Sequence, residues 1–241
     1  MEPRILTIGD IHGCGAALRE LLKTVQPRAE DLVIVLGDVI DRGPAVPDVI
    51  EQLLELEQHC RTVLIRGNHE EQLFRSLESA AALAAWVQHG GDATLAAYGG
   101  SIEQIPARHL DLLARSVDWY TLGHSVFVHA GLESGVPLSG QSAPWLRWVK
   151  FDKSRPPWLP GWTVYCGHTP QKSGLPLALP GWRLLDTWAY GSLAGGNGWL
   201  TCLDVATARY WQSREGGGQR DGVLTEFEAD QVGTDRLPTP L

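Results

Sequence analysis

Three short aliphatic runs in the N-terminal third of the chain end beside a glycine and pass straight into carboxylate, amide or imidazole side chains. Ile5-Leu6-Thr7-Ile8 leads into Gly9-Asp10-Ile11-His12-Gly13, and Leu32-Val33-Ile34-Val35-Leu36 into Gly37-Asp38-Val39-Ile40-Asp41-Arg42-Gly43. Thr62-Val63-Leu64-Ile65 leads into Arg66-Gly67-Asn68-His69-Glu70. Continuous apolar runs rich in β-branched residues suit strands buried on both faces. Between them, Leu18, Leu21, Leu22 and Val25, then Val46, Val49, Ile50, Leu53 and Leu54, recur at helical spacing. Strand and helix therefore alternate, as in parallel βαβ crossovers. Such a sheet gathers the residues that follow its strands at one carboxyl edge, where α/β proteins place their chemistry.

The rest of the chain is less regular. An alanine- and leucine-rich helix is expected from Asn68 to about Trp86, and a shorter one from Ala107 to Ala114. Trp119 to Leu122 and Ser125 to His129 read as a hairpin turning at Gly123-His124, followed by Ala130-Gly131. Thr163-Val164-Tyr165-Cys166 reads as a strand ended by Gly167-His168-Thr169-Pro170. Short strands near 183–185, 199–203 and 209–211 suggest a second, more antiparallel sheet. The reading is one domain over residues 1–213 and a C-terminal tail of doubtful order over 214–241.

Composition bounds the function. At 241 residues with a formal net charge of −8, the chain can bury a real core and is a poor match to a nucleic-acid or membrane surface. Its four cysteines form no Cys-x-x-Cys pair, so neither a disulfide scaffold nor a thiolate zinc site is indicated. No signal-peptide pattern or membrane-length apolar run is present, so a monomeric cytoplasmic protein is expected. Seven of the ten tryptophans fall between Trp145 and Trp199, and the Pro/Trp-rich segment from Pro137 to Gly161 is expected to be a structured surface excursion with some helix.

Five strand ends carry a polar group beside a glycine: Asp10/His12, Asp38, Asn68/His69, His129 and His168. Singly, each is a turn former, a helix cap or a structural histidine. Together they make a mixed imidazole, carboxylate and amide set that suits Mn²⁺, Fe or Zn²⁺ better than Ca²⁺. The groups suffice for two ions, with Asp10 and His12 on one, Asn68, His129 and His168 on the other, and Asp38 bridging. Two such ions can clamp both oxygens of an in-line displacement and make hydroxide from bound water near neutral pH. Two divalent ions, two aspartates and one hydroxide leave roughly one positive charge, before Arg42 is added. That suits a phosphate dianion in an otherwise acidic protein.

The three N-terminal blocks, with Val128-His129-Ala130-Gly131 and Gly167-His168-Thr169-Pro170, resemble the PPP-type serine/threonine protein phosphatases within the calcineurin-like metallophosphoesterases, most closely the compact bacterial and phage members. The resemblance runs from about Ile5 to Leu203. It implies an α/β fold in four layers, an αββα sandwich of two mixed β-sheets flanked by helices. It implies Asp10, His12, Asp38, Asn68, His129 and His168 as ligands of two divalent ions, most often Mn²⁺. It further implies that Arg42, Asn68 and His69 bind phosphate, and that His69 protonates the leaving oxygen, oriented by Asp41. A second phosphate arginine is expected between the last two histidines, with Arg147 preferred over Arg155. The implied activity is hydrolysis of phosphoserine and phosphothreonine, with phosphotyrosine also accessible, on phosphorylated proteins or peptides and on small phosphoesters in vitro. The alternative is a bis(5'-nucleosyl)-tetraphosphatase-type dinucleoside polyphosphate hydrolase, which shares the N-terminal blocks. Gly-His-Thr-Pro and the lack of that group's extended C-terminal region favour the protein phosphatase. Two details depart from the compact members: His89-Gly90-Gly91 stands where Asn-Gly-Gly is usual, and Asp186-Thr187-Trp188 where Asp-Thr-Gly is usual. The bulk of Trp188 is expected to reshape one wall of the cleft.

Overall fold

A computed structural model describes residues 2–226. The order begins β1 (Ile5–Ile8), α1 (Gly15–Val25), β2 (Leu32–Val35), α2 (Val46–His59), β3 (Arg61–Leu64) and α3 (Asn68–Ser76). It continues through α4 (Ala80–Trp86), a π-helical turn (Val87–Gly91), α5 (Asp92–Ala97) and α6 (Ala107–Ala114) to the hairpin β4 (Trp119–Leu122) and β5 (Ser125–Val128). After α7 (Ala143–Arg147) come β6 (Thr163–Cys166), β7 (Leu177–Leu179), β8 (Trp182–Leu184), β9 (Leu200–Asp204), β10 (Arg209–Ser213) and β11 (Gln219–Val223).

The strands form two mixed sheets, one of six strands in the order β11-β10-β9-β1-β2-β3 and one of five in the order β4-β5-β6-β8-β7. β1, β2 and β3 are parallel, with Ile5 opposite Leu32 and Leu32 opposite Arg61. In the other sheet β5, β6 and β8 are parallel. Alternation along β2 explains the layering. Val33 and Val35 face Leu18, Leu21, Val49 and Ile50 of the helices, whereas Ile34 and Leu36 join Phe127 and Tyr165 of the second sheet. The outer face of the second sheet, Val126, Val128 and Val164, lies under Leu146, Phe151 and Trp158. The fourth layer is therefore α7 with the tryptophan-rich segment. This is the expected αββα arrangement.

Several boundaries and partners differ from expectation. The helix expected from Asn68 to Trp86 breaks after Ser76, and Ser79 restarts it by accepting the Ala82 N–H at 3.2 Å. The strands expected near 199–203 and 209–211 do not build the second sheet; β9 pairs antiparallel with β1, and β10 pairs with β9. The tail expected from 214 is a strand for part of its length, because β11 pairs with β10 from Gln219 to Val223. Glu215, in the turn between them, accepts the Ala17 N–H at 2.9 Å at the start of α1, a helix whose own N-terminal residue offers no side-chain cap. Residues 227–241 of that tail lie outside the described residues. Among the described residues, no helix is long and apolar enough to cross a membrane.

Candidate metal centre

The carboxyl ends of β1, β2 and β3 face those of β5 and β6, and the polar groups that follow all five strands meet there. Asp38 stands in the middle. Its Oδ2 lies 3.5 Å from His12 Nε2, 3.4 Å from His129 Nε2 and 3.9 Å from His69 Nε2. Asn68 Oδ1 lies 3.0 Å from both His129 Nε2 and His168 Nδ1. Two groups of possible ligands result, His12 with Asp38 and His69, and Asp38 with His129 and His168, sharing Asp38. All are buried. The second group lies against Asn68, which was expected beside it. The first differs: His69 rather than Asp10 completes it, and Asp10 instead accepts the His168 backbone N–H, at 3.0 Å to its Oδ2.

The far side of each ring fixes which nitrogen faces inward. Backbone carbonyls accept from His12 Nδ1 (Ile40, 3.0 Å), His129 Nδ1 (Leu36, 2.7 Å) and His168 Nε2 (Trp148, 2.9 Å). Each carbonyl requires an N–H, so in His12 and His168, whose rings burial keeps neutral, the opposite nitrogen presents a lone pair to the oxygens of Asp38 and Asn68. Lone pair against lone pair is repulsive unless a cation lies between them. Charge tells the same story. Burial, then the neighbouring Asp186, pushes the Asp10 carboxyl well up; burial pushes Asp186 up to about 6 even though it accepts the Trp188 N–H. Asp186 Oδ2 is buried with no hydrogen-bond partner among the described residues. Burial pulls His129 down, but Asp38 and Asp10 outweigh it and raise the ring to about 10. Burial, then His129, brings His168 down to about 3, which leaves it neutral and fit to ligate. Buried carboxylates in excess, facing the neutral imidazoles of His12 and His168, fit divalent cations.

Beside this centre Arg42, His69 and Asp41 form one hydrogen-bonded chain. The Arg42 Nη1 and Nη2 donate to His12 Nε2 and His69 Nε2 at 2.9 and 3.0 Å. His69 Nδ1 donates to Asp41 Oδ2 at 2.6 Å. Asp41 is fully enclosed: Trp86 Nε1 donates to Oδ2 at 2.8 Å and the Thr94 hydroxyl to Oδ1 at 2.6 Å. Among the described residues, eight that are not glycine have positive φ, and five of them are His12, Asp38, Asp41, Arg42 and His168. Such backbone persists where the surroundings over-determine it, commonly at functional sites. One device is Glu70, buried in α3, whose carboxylate accepts the N–H groups of Gly67, Asp38 and Val39 at 2.8, 2.9 and 2.9 Å. Close approach is the other. A Cβ on Gly167 would overlap the Asp10 carboxylate, and one on Gly37 would meet the Gly67 backbone.

Arg147, expected as the second phosphate arginine, is held by two carboxylates. Its Nε donates to Glu71 at 3.0 Å and its Nη1 to Asp118 at 3.0 Å, so it ties α7 to α3 and to the strand entering β4. Arg155 does not replace it; its guanidinium sits among the rings of Trp145, Phe151 and Trp182, 5.0 to 5.6 Å from their centres. The cation that does reach the rim is Lys150, whose Nζ donates to the His168 carbonyl at 3.0 Å. The sequence assigned no role at the site to Lys150, Glu70, Thr94, Trp86, Asp186 or Tyr190. Glu70 alone left a signal, as an acidic residue three positions after a helix-starting glycine.

Comparison with known proteins agrees with this geometry. The model of the calcineurin-like phosphoesterase family matches residues 3–192. Serine/threonine-protein phosphatase 1 of Salmonella typhimurium is 35% identical over 89 residues, 36% of this chain and 39% of the relative. A symmetrical bis(5'-nucleosyl)-tetraphosphatase of Paracidovorax citrulli is 39% identical over 74 residues, 30% of this chain and 26% of the relative. The matches thus span well under half the length of either relative. Among solved structures, the cold-active protein-tyrosine phosphatase of a psychrophilic Shewanella superposes with a TM-score of 0.63 at 16% identity, covering 92% of this chain and 80% of that one. By the family match over most of its length and by the site that match encloses, the chain belongs to the calcineurin-like phosphoesterases.

Proposed function

We propose that the chain is a metal-dependent phosphoprotein phosphatase acting on phosphoserine and phosphothreonine. The observation that carries the reading is the Arg42 fork spanning His12 and His69 beside the shared Asp38, which puts an anion site, a proton carrier and a metal-binding set within one cluster. Asp10, His12, Asp38, Asn68, His129 and His168 would hold two divalent ions. When bound, such ions lower the pKa of water towards neutrality and neutralise charge on the phosphoryl oxygens.

The protein's own groups do the rest. Arg42 presents two parallel N–H donors, which match two phosphate oxygens. His69 has its Nδ1–H committed to Asp41, so Nε2 is the nitrogen that faces the substrate. Once Arg42 Nη2 turns from this nitrogen to a phosphate oxygen, Nε2 can carry a proton; the ring is then an imidazolium that Asp41 stabilises and that can hand its proton to the departing serine or threonine oxygen. Trp86 and Thr94 hold Asp41 for that task and keep water from it. Cys14 and Cys166, each two residues from a histidine of the site, are buried with thiols that burial pushes up, so neither is an activated nucleophile. Direct attack of water on phosphorus needs none.

A protein substrate is supported by the match to the Salmonella serine/threonine phosphatase. The second reading, cleavage of dinucleoside polyphosphates, is supported by the tetraphosphatase match. Initial rates with Mn²⁺ on a phosphoserine/phosphothreonine peptide, a phosphotyrosine peptide and diadenosine tetraphosphate separate them. The expected result is faster turnover of the phosphoserine/phosphothreonine peptide, with His69→Asn lowering kcat on it by roughly 10²–10³-fold. The same variant should lose far less on p-nitrophenyl phosphate, whose leaving group needs no proton. Fast dinucleotide cleavage with idle phosphopeptides would overturn the substrate assignment.

A further inference from the structure

Arg42 is held in an unusual way for a buried-edge arginine. Among the described residues, no carboxylate pairs with it; its guanidinium donates only to the two imidazoles. Its flat face lies over the Tyr190 ring, with Cζ 4.4 Å from the ring centre. Tyr190 also stands edge-on to His12, with ring centres 5.0 Å apart at 87°. Behind it, Trp188 meets Tyr190 edge-on at 6.1 Å. Trp188 is itself fixed: its backbone is left-handed with φ 63°, its N–H donates to Asp186 Oδ1 at 2.9 Å, and its indole lies on Gly191 and Gly196, where a Cβ would overlap the ring. From the other side, the Arg42 N–H donates to the Gly90 carbonyl at 3.0 Å, and a Cβ on Gly90 would come 2.9 Å from Arg42 Cγ.

A carboxylate partner would orient the guanidinium and cancel its charge, in competition with an incoming phosphate. An aromatic face orients it and leaves the charge in place. We infer that Tyr190, braced by Trp188, is a positioning residue for phosphate binding: it holds the Arg42 guanidinium aimed at the anion without neutralising it. The bulky Trp188 in place of the usual glycine is then the brace that keeps Tyr190 upright. The inference rests on Arg42 as the phosphate ligand of the proposed function, but not on which phosphoester is turned over.

Calorimetric titration of the Mn²⁺-loaded protein with inorganic phosphate tests it, beside kcat and KM for p-nitrophenyl phosphate. Tyr190→Leu should raise the phosphate Kd and the KM together by about fivefold to tenfold, whereas Tyr190→Phe should keep both within about twofold of wild type. Added to Arg42→Ala, Tyr190→Leu should cost nothing further, because the guanidinium it positions is gone. Should Tyr190→Leu not fold, Tyr190→Met carries the same expectation. The inference is overturned if kcat falls while Kd and KM stay at wild-type values, or if the double variant binds phosphate more weakly than Arg42→Ala alone. A protein that turns over no phosphoester yet shows these Kd changes would keep the inference and sink the proposed function.

Discussion

Asp38 sits where both groups of ligands meet, in left-handed backbone with φ 49°, an unfavourable conformation for a residue with a Cβ. Glu70 holds it there, by accepting the Asp38 and Val39 N–H groups with one carboxylate from inside α3. Glu70→Gln keeps the volume but turns an amide N–H₂ towards backbone donors. The expected outcome is a rise of roughly 10- to 100-fold in the Mn²⁺ concentration needed for half-maximal activity, together with a lower Tm. A metal titration of initial rates and a thermal melt check both. The candidate ligands were readable because each is an unusual polar residue close after an apolar run. Glu70 showed only its place three residues after a helix-starting glycine, because its partners are backbone groups that the folded turn brings together. The partners of Arg147 were hidden for a related reason: an arginine among tryptophans looks the same in sequence whether or not it pairs with carboxylates such as Glu71 and Asp118.

At the level of elements, parallel strands bring their ends to one edge, and something must hold their beginnings in register. Asp31 does this. Its buried carboxylate accepts from the Arg4 backbone N–H at 2.8 Å and from the Arg28 N–H at 2.9 Å, and pairs with both guanidinium groups, so it ties the start of β1 to the turn before β2. Burial alone would push this carboxyl up, but the hydrogen bonds from Arg4 and Arg28 hold it far below the usual carboxylate range. A depressed folded pKa contributes stability that is complete above the unfolded pKa and fades as pH falls towards the folded one. Asp31→Asn should therefore cost about 2 kcal/mol at pH 7, and the difference should shrink below about pH 4. Urea midpoints of both proteins at pH 7 and pH 3 provide the check. The βα repeats at the N-terminus were legible because strand and helix periods alternate cleanly. The partners of β9 and β10 were not, since two-residue alternation marks a strand without saying which strand it joins. β11, Gln219 to Val223, has no apolar alternation at all, because it is a half-exposed edge whose order comes from backbone pairing with β10.

Over the whole molecule, a net charge of −8 surrounds a centre that gathers yet more carboxylate, with Asp10, Asp38 and Asp186 buried close to one another. That concentration of negative charge is costly by itself and is relieved by divalent cations, which would then reverse the local sign and admit a phosphate. The two sheets serve this by turning the carboxyl ends of β1, β2 and β3 towards those of β5 and β6. The metal content of the chain, measured by elemental mass spectrometry after loading with Mn²⁺ and removal of free metal, reads this account directly. Two ions per chain, falling to one or none in Asp38→Asn with turnover abolished by chelator, is the result it requires. Less than one ion per chain, with phosphoester turnover undiminished by chelator, would contradict it.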